Sequence, residues 1–420
     1  MRWLVYLSLV ILFLIGISKA IAGPYTSSIH GNTTHGVYRI GLNGTYARGN
    51  CAHCHEMHTT PNPFALFANN FNNATLTGPY SQSDDFCFYC HGSPSKQVGG
   101  ILNYDYSKTF GGATNSTATT ILDLFNQASY HDLYDIWNFA QNTFPSFFTA
   151  LSNPCVACHN PHLVHRSCGK PGGVFDPTQS AISRPTSHDT LWGDNSTERM
   201  SNYTGTTLIY QPPMYFNSTN YEPDDASNDR LTQAAKTPDY VSFCTDCHNP
   251  YNTIYSHELG RNLKYIDWAN EKHGKGAADG TINVHPPFSN ASIGKYVLSC
   301  LDCHEPHGSP NLFLIRTEVN GKKLRGPITA VTDLGLLCRQ CHLDDAAFSG
   351  NSLYVNRWCI IHHNELKNCG FTVSNVTDVP YPVTWGCGGC HGTFSTDGCF
   401  HCHFHNSTYP DSNGIIRRTF

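Results

Sequence analysis

Eight times along this chain two cysteines stand three positions apart and a histidine follows the second at once. The sets are Cys51, Cys54 and His55; Cys87, Cys90 and His91; Cys155, Cys158 and His159; Cys244, Cys247 and His248; Cys300, Cys303 and His304; Cys338, Cys341 and His342; Cys387, Cys390 and His391; and Cys399, Cys402 and His403. Two thiols at this spacing can add to the two vinyl groups of one porphyrin, and the adjoining imidazole then reaches the iron from the same side. This is the attachment pattern of c-type haem. Zinc knuckles and thioredoxin-like dithiols also use Cys-x-x-Cys, but neither needs the histidine. His supplies 24 of 420 residues, so chance would place one after a given pair about 6% of the time. All eight pairs have it. The expected cofactor is therefore haem c, eight groups held covalently, and the expected chemistry is the movement of electrons.

What fills the second axial position of each iron decides what the iron can do. Eight of the 24 His are proximal, so sixteen remain for eight vacancies. Met is scarce: after Met1 there are only Met57, Met200 and Met214. Bis-His iron is expected throughout, with the low potentials that follow from the absence of Met ligands. His35 lies 16 residues before Cys51 and His285 lies 15 before Cys300. His131 and His188 precede the third and fourth motifs, and His363 and His405 flank the final pair. These, with His30 in the N-terminal arm, are distal candidates. The alternative for each is a surface or propionate-contacting role. His53, His165, His257, His273, His362 and His401 form a reserve.

An internal repeat surrounds the motifs. Cys51 to Phe67 reads C-A-H-C-H-E-M-H-T-T-P-N-P-F-A-L-F, and Cys300 to Arg316 reads C-L-D-C-H-E-P-H-G-S-P-N-L-F-L-I-R. Each is followed by a second motif, at Cys87 and Cys338. Cys155 to His162 (C-V-A-C-H-N-P-H) and Cys244 to Tyr251 (C-T-D-C-H-N-P-Y) are weaker copies. The unit is a two-haem module, used twice clearly and once in expanded form. The last two motifs begin only 12 residues apart, at Cys387 and Cys399, which forces their porphyrins to be near neighbours.

The pattern resembles the doubled Cys-x-x-Cys-His family of multihaem cytochromes, over the motifs and their flanks. In that family an additional His three residues after the proximal one usually ligates a haem, often a neighbouring one. Carried over, those residues are His58, His162 and His307. Tyr251 stands at the matching place after the fourth motif, so that haem needs another source. The chain also resembles subunits of extracellular cytochrome filaments of archaea and bacteria. In some of those, a His of one subunit ligates a haem of the next, and His30 and His35 lie ahead of every motif, where such a ligand could be.

The elements that must position these groups are few. A leader over 1–22 leaves 398 residues, about fifty per haem, too few for an ordinary core around each. Porphyrins must supply much of the buried apolar surface. The expected fold is that of a multihaem cytochrome c: mostly irregular coil and turns, with a few short helices and a β-hairpin wrapped around a chain of eight haems. The 35 Gly and 24 Pro agree. Thr119 to Leu151 carries Leu122, Phe125, Leu133, Ile136 and Phe139 at helical spacing and predicts one or two helices. Leu312 to Val319, Asn320-Gly321 and Lys322 to Ile328 predict a hairpin with a type I′ turn. The division expected is an N-terminal arm and two-haem module over 23–150, a middle haem region with a sequon-rich insertion over 151–290, and a four-haem region over 291–420.

Arg2, the apolar run Trp3 to Ile17, and Ala20-Ile21-Ala22 form a signal peptide, with an uncleaved anchor as the other reading. No later segment is apolar enough to cross a bilayer. Ten Asn-x-Ser/Thr sequons, at Asn32, Asn43, Asn73, Asn115, Asn195, Asn202, Asn217, Asn290, Asn375 and Asn406, suggest a glycosylated protein of the cell surface. Without the leader the chain has 24 basic and 31 acidic residues, a net charge of −7, which argues against a nucleic-acid partner. Three Cys remain: Cys168, Cys359 and Cys369. A Cys359–Cys369 disulfide fits an exported chain, but Cys168 could pair with either.

These readings converge on an extracellular electron conduit, with a homopolymer and other redox proteins or extracellular acceptors as partners. A monomeric exported carrier would use the same chemistry. An octahaem oxidoreductase of nitrogen or sulfur compounds is the third reading. It needs a five-coordinate haem, and several such families mark it with Lys in place of the proximal His; no Cys-x-x-Cys-Lys occurs here.

Overall fold

The computed structural model describes residues 22–56, 65–73, 78–99, 118–165, 180–213, 230–276 and 284–342, apart from a few positions inside these stretches, and short pieces at 353–354, 372–373, 405–406, 408–410 and 416–418. The leader, His58, Cys168, Cys359, Cys369, His363 and the last two motifs lie outside the described residues.

Regular structure is sparse. The helices are α1 (Ala22–Ser27), α2 (Phe88–His91), α3 (Ile121–Leu124), α4 (Leu133–Thr143), α5 (Arg230–Lys236), α6 (Tyr240–Cys244) and α7 (Gly335–Cys338). The strands are β1 (Ser129–Tyr130), β2 (Ile209–Tyr210), β3 (Tyr255–Ser256), β4 (Arg261–Asn262), β5 (Tyr296–Val297), β6 (Gly308–Ser309), β7 (Glu318–Val319) and β8 (Lys322–Lys323), followed by four more in the C-terminal pieces. Every strand pairs with one other, and β2 with β5 is a parallel pair. No helix among the described residues is long and apolar enough to cross a membrane.

Of the one or two helices predicted between Thr119 and Leu151 there are two, α3 and α4. Thr120 and Asp123 close α3 with a capping box, and the Asp132 side chain caps α4 by accepting from Asp135 N. The hairpin is shorter than its sequence suggested. It is β7–β8 alone, because Leu312–Leu314 forms a 3-10 turn instead. Its turn is as expected: Asn320 and Gly321 sit at φ 51° and 68°, the left-handed pair a type I′ turn requires.

The apolar interior is divided into small clusters, and most include residues of the motifs or their immediate flanks. Phe88 of the second motif packs with Tyr80, Leu122, Phe125 and Leu133. Ala157 of the third packs with Ala140, Phe144 and Phe148. Leu301 of the fifth packs with Tyr240, which stands four residues before the fourth. The largest, around Met200, Tyr210, Trp268 and Val297, also takes in Val241 and partly buried Cys300.

Two junctions fix the order of the modules. In the first, Ile29 N donates to Val164 O at 2.7 Å, tying the N-terminal arm to the segment after the third motif. In the second, β1 pairs with β6 in the register Ser129↔Ser309 and Tyr130↔Gly308. Ser129 Oγ donates to Asn311 O at 2.5 Å and accepts from Leu314 N at 2.8 Å.

Candidate metal centres

Each of the six described motifs closes one turn of helix. The proximal His N–H donates to the carbonyl of the first Cys at 2.8 Å (His55), 2.9 Å (His91), 3.0 Å (His159), 2.9 Å (His248), 3.0 Å (His304) and 2.9 Å (His342). Residues i, i+3 and i+4 of such a turn share a face, so both thiols and the imidazole project together. Odd and even motifs build the turn differently. The first and fifth open 3-10 helices and the third lies in one; Asn50 and Asn153 side chains cap those of the first and third, and at the fifth Asp302 Oδ2 accepts from Ser299 N at 2.7 Å. The second lies on α2, and the fourth and sixth begin where α6 and α7 end.

The first and fifth motifs also share their continuation. His55 bridges to Leu66, and His304 to Ile315. Phe67 N donates to Cys54 O at 3.1 Å, and Arg316 N to Cys303 O at 2.9 Å. The repeat read from the sequence is thus a repeat of backbone.

Opposite each of the six proximal rings lies a second imidazole. The ring centres are 6.2 Å apart for His55 and His162, 6.1 Å for His91 and His30, and 6.1 Å for His159 and His307. They are 6.0 Å apart for His248 and His131, 6.2 Å for His304 and His405, and 6.0 Å for His342 and His273. A metal–imidazole bond of about 2.0 Å plus about 1.2 Å from nitrogen to ring centre puts two imidazoles on one iron about 6.4 Å apart. Six independent pairs fall within a few tenths of an ångström of that spacing.

The outer nitrogens fit the same use. His30 Nδ1 bonds to Pro161 O at 2.7 Å, His159 Nδ1 to Ala181 O at 2.6 Å and His304 Nδ1 to Phe313 O at 2.9 Å. His131 Nδ1 bonds to Pro306 O, and His405 Nδ1 to Glu271 Oε2 at 2.8 Å. A ring that donates Nδ1–H keeps Nε2 as the free lone pair a metal needs. Burial first, then neighbouring imidazoles, pushes His248 down to about 3 and His304 to about 4. Burial is also the first cause lowering His30, His131, His159 and His162. Such lowering favours the neutral ring, the form that ligates.

The thiols trace a line. Within modules the second Cys of each motif are neighbours. Burial and then Cys90 raise Cys54 to about 12, burial and then Cys158 raise Cys247, and burial and then Cys341 raise Cys303. Between modules the first Cys meet. The bond to Cys155 is the first cause raising Cys87, and the bond to Cys300 the first raising Cys244. Asp85 sits at the first of these contacts, its carboxylate oxygen and the Cys87 and Cys155 sulfurs all within 4.8 Å of one another.

Residues 43–96 and 285–347 match the family model described as the doubled CXXCH motif. The match indicates a multihaem c-type cytochrome. No curated protein and no solved structure matches. The paired motifs indicate covalently bound haem c and point to the electron transfer of multihaem cytochromes. The matched stretches hold the first, second, fifth and sixth motifs; the third and fourth lie between them.

Among the distal candidates, His30, His131, His162, His307 and His405 each face a proximal ring. For His35, His188 and His285 other contacts are seen. His35 N donates to Asn32 Oδ1 at 3.0 Å, and the His188 ring stacks on Phe147 at 4.1 Å. His285 lies beside the sixth motif through its backbone, donating to Cys341 O at 2.7 Å. The ring facing His342 is His273, from the reserve. No local signal marked it, because it lies 69 residues from its partner and follows no motif. His30 faces His91 of its own chain. Tyr251 is 93% exposed and faces no proximal ring, and His131 takes the place opposite His248.

Proposed function

We propose that this protein conducts electrons along a chain of eight bis-His haems outside the cell, as the subunit of a conductive filament. The observation that carries the conduit is the continuous run of motif contacts. Thiols of the first motif neighbour those of the second, and so on to the sixth, alternating second-with-second and first-with-first cysteines. Haems attached in that order would be nearest neighbours along the whole line, so electrons could pass with no moving part. Imidazoles on both faces would deny substrate a coordination site at six irons, which separates conduction from reductase chemistry.

The filament and the extracellular location rest on the leader, the sequons and the resemblance to cytochrome filaments. A ligand offered in trans from the N-terminal arm would have to be His35, since His30 is engaged within the chain. Mass spectrometry of the mature haem-loaded protein is expected to give eight haems and a start at Gly23. Electron microscopy of cell-surface material is expected to give filaments. Fewer than six haems would overturn the conduit, and discrete particles at all concentrations would leave a monomeric carrier.

A further inference from the structure

The turn from Asp267 to Gly276 serves two motifs at once. It carries His273, which faces His342, and Glu271, whose side chain is fully buried. The turn is tight: a Cβ on Gly274 would lie 2.2 Å from Trp268 O and one on Gly276 2.3 Å from Asn270 O. Glu271 is fixed by Asp267 N, which donates to Oε1 at 3.1 Å. Its carboxylate then receives the C-terminal piece. Asn406 N donates to Oε1 at 3.0 Å and His405 Nδ1 bonds to Oε2 at 2.8 Å, with the other edge of the ring toward His304.

This second-sphere bond differs from the others described. His30, His131, His159 and His304 bond through Nδ1 to backbone carbonyls. His307 Nδ1 lies 3.9 Å from Glu305 Oε1, beyond hydrogen-bond length. A carboxylate acceptor draws the Nδ1 proton more strongly than a carbonyl does and makes the imidazole a better donor at Nε2. A better donor favours ferric over ferrous iron.

We infer that Glu271 is a positioning and tuning residue: through His405 it holds the reduction potential of the haem on Cys300 and Cys303 below what a carbonyl-bonded imidazole would give. The couple concerned is the one-electron reduction of ferric to ferrous iron, with no bond made or broken. The inference rests on His304 and His405 sharing one iron, and the test separates the two claims.

The test is a redox titration of haem-loaded protein followed by electron paramagnetic resonance, for the parent, Glu271→Gln, Glu271→Asp and His405→Ala. His405→Ala is expected to convert one low-spin haem to high spin, which identifies the site. Glu271→Gln is expected to keep every haem low-spin and move that same haem's transition to higher potential, with the others unchanged. Glu271→Asp, which keeps the charge on a shorter arm, is expected to move it less in the same direction, and this decides the matter should the Gln variant fail to fold. If His405→Ala gives a high-spin haem but neither Glu271 variant moves its potential, the tuning is wrong and the shared iron stands. If Glu271→Gln gives high-spin iron like His405→Ala, the carboxylate only holds the ring, and the tuning is again wrong. If His405→Ala leaves every haem low-spin, the shared iron itself is wrong.

Discussion

His307 stands three residues after the proximal His304, yet it faces His159 of the third motif, at 6.1 Å and 14° between ring planes. His162 repeats the relationship one module earlier: it follows His159 and faces His55 of the first motif, at 6.2 Å and 10°. Modules are therefore interleaved, each lending an imidazole to one before it. His307→Ala should convert the haem on Cys155 and Cys158 to high spin and leave that on Cys300 and Cys303 low-spin. Loss of this buried ring should cost about 2 kcal/mol. Site-resolved paramagnetic NMR of the oxidised protein distinguishes the two haems.

The β1–β6 junction aims two imidazoles at once, His131 at His248 and His307 at His159. Gly308 makes it possible, because a Cβ there would lie 1.8 Å from Leu124 O, a backbone atom that cannot swing aside. Gly308→Ala should therefore disturb both haems together and destabilise the fold by about 2 kcal/mol or more. Thermal unfolding, read beside the count of high-spin haems, checks both effects.

His30 and His35 lie in one arm but differ in placement. His30→Ala should expose the haem on Cys87 and Cys90, giving one site that binds carbon monoxide when reduced. His35→Ala should leave the haem of every described motif six-coordinate. Carbon monoxide difference spectra of the two variants provide the comparison.

Acid should open the sites in a known direction. His248 and His304 are depressed by burial to about 3 and about 4, so the unfolded chain binds protons that the folded chain does not. Their contribution is fully present above the ordinary His value near 6.5 and is lost as pH falls toward 4 and then 3. Stability against denaturant should fall steadily below about pH 6.5, with high-spin iron appearing in the same range. A flat profile from pH 7 to 4 would contradict it.

Much of the arrangement was legible in the sequence, and the reason is covalent. Cys-x-x-Cys-His reports its own geometry, since one helical turn suffices to put thiols and imidazole on one face. The stretches from Cys51 and Cys300 align without a gap, share eight of seventeen residues and close the same backbone bridge, at Leu66 and Ile315. The Asn320-Gly321 turn was equally local. The facing rings were less legible, because they depend on which segment folds back where. His162 and His307 follow a repeat, but His273 meets His342 only through a turn organised by Glu271 and Trp268. His285, chosen for its distance upstream of Cys300, meets the sixth motif through its backbone, a contact that spacing along the chain does not report.

The account stands most directly on two imidazoles per iron. Electron paramagnetic resonance of the fully oxidised, haem-loaded protein is predicted to give low-spin ferric signals for the six haems of the described motifs. A high-spin ferric signal amounting to one haem or more at any of these six would contradict it.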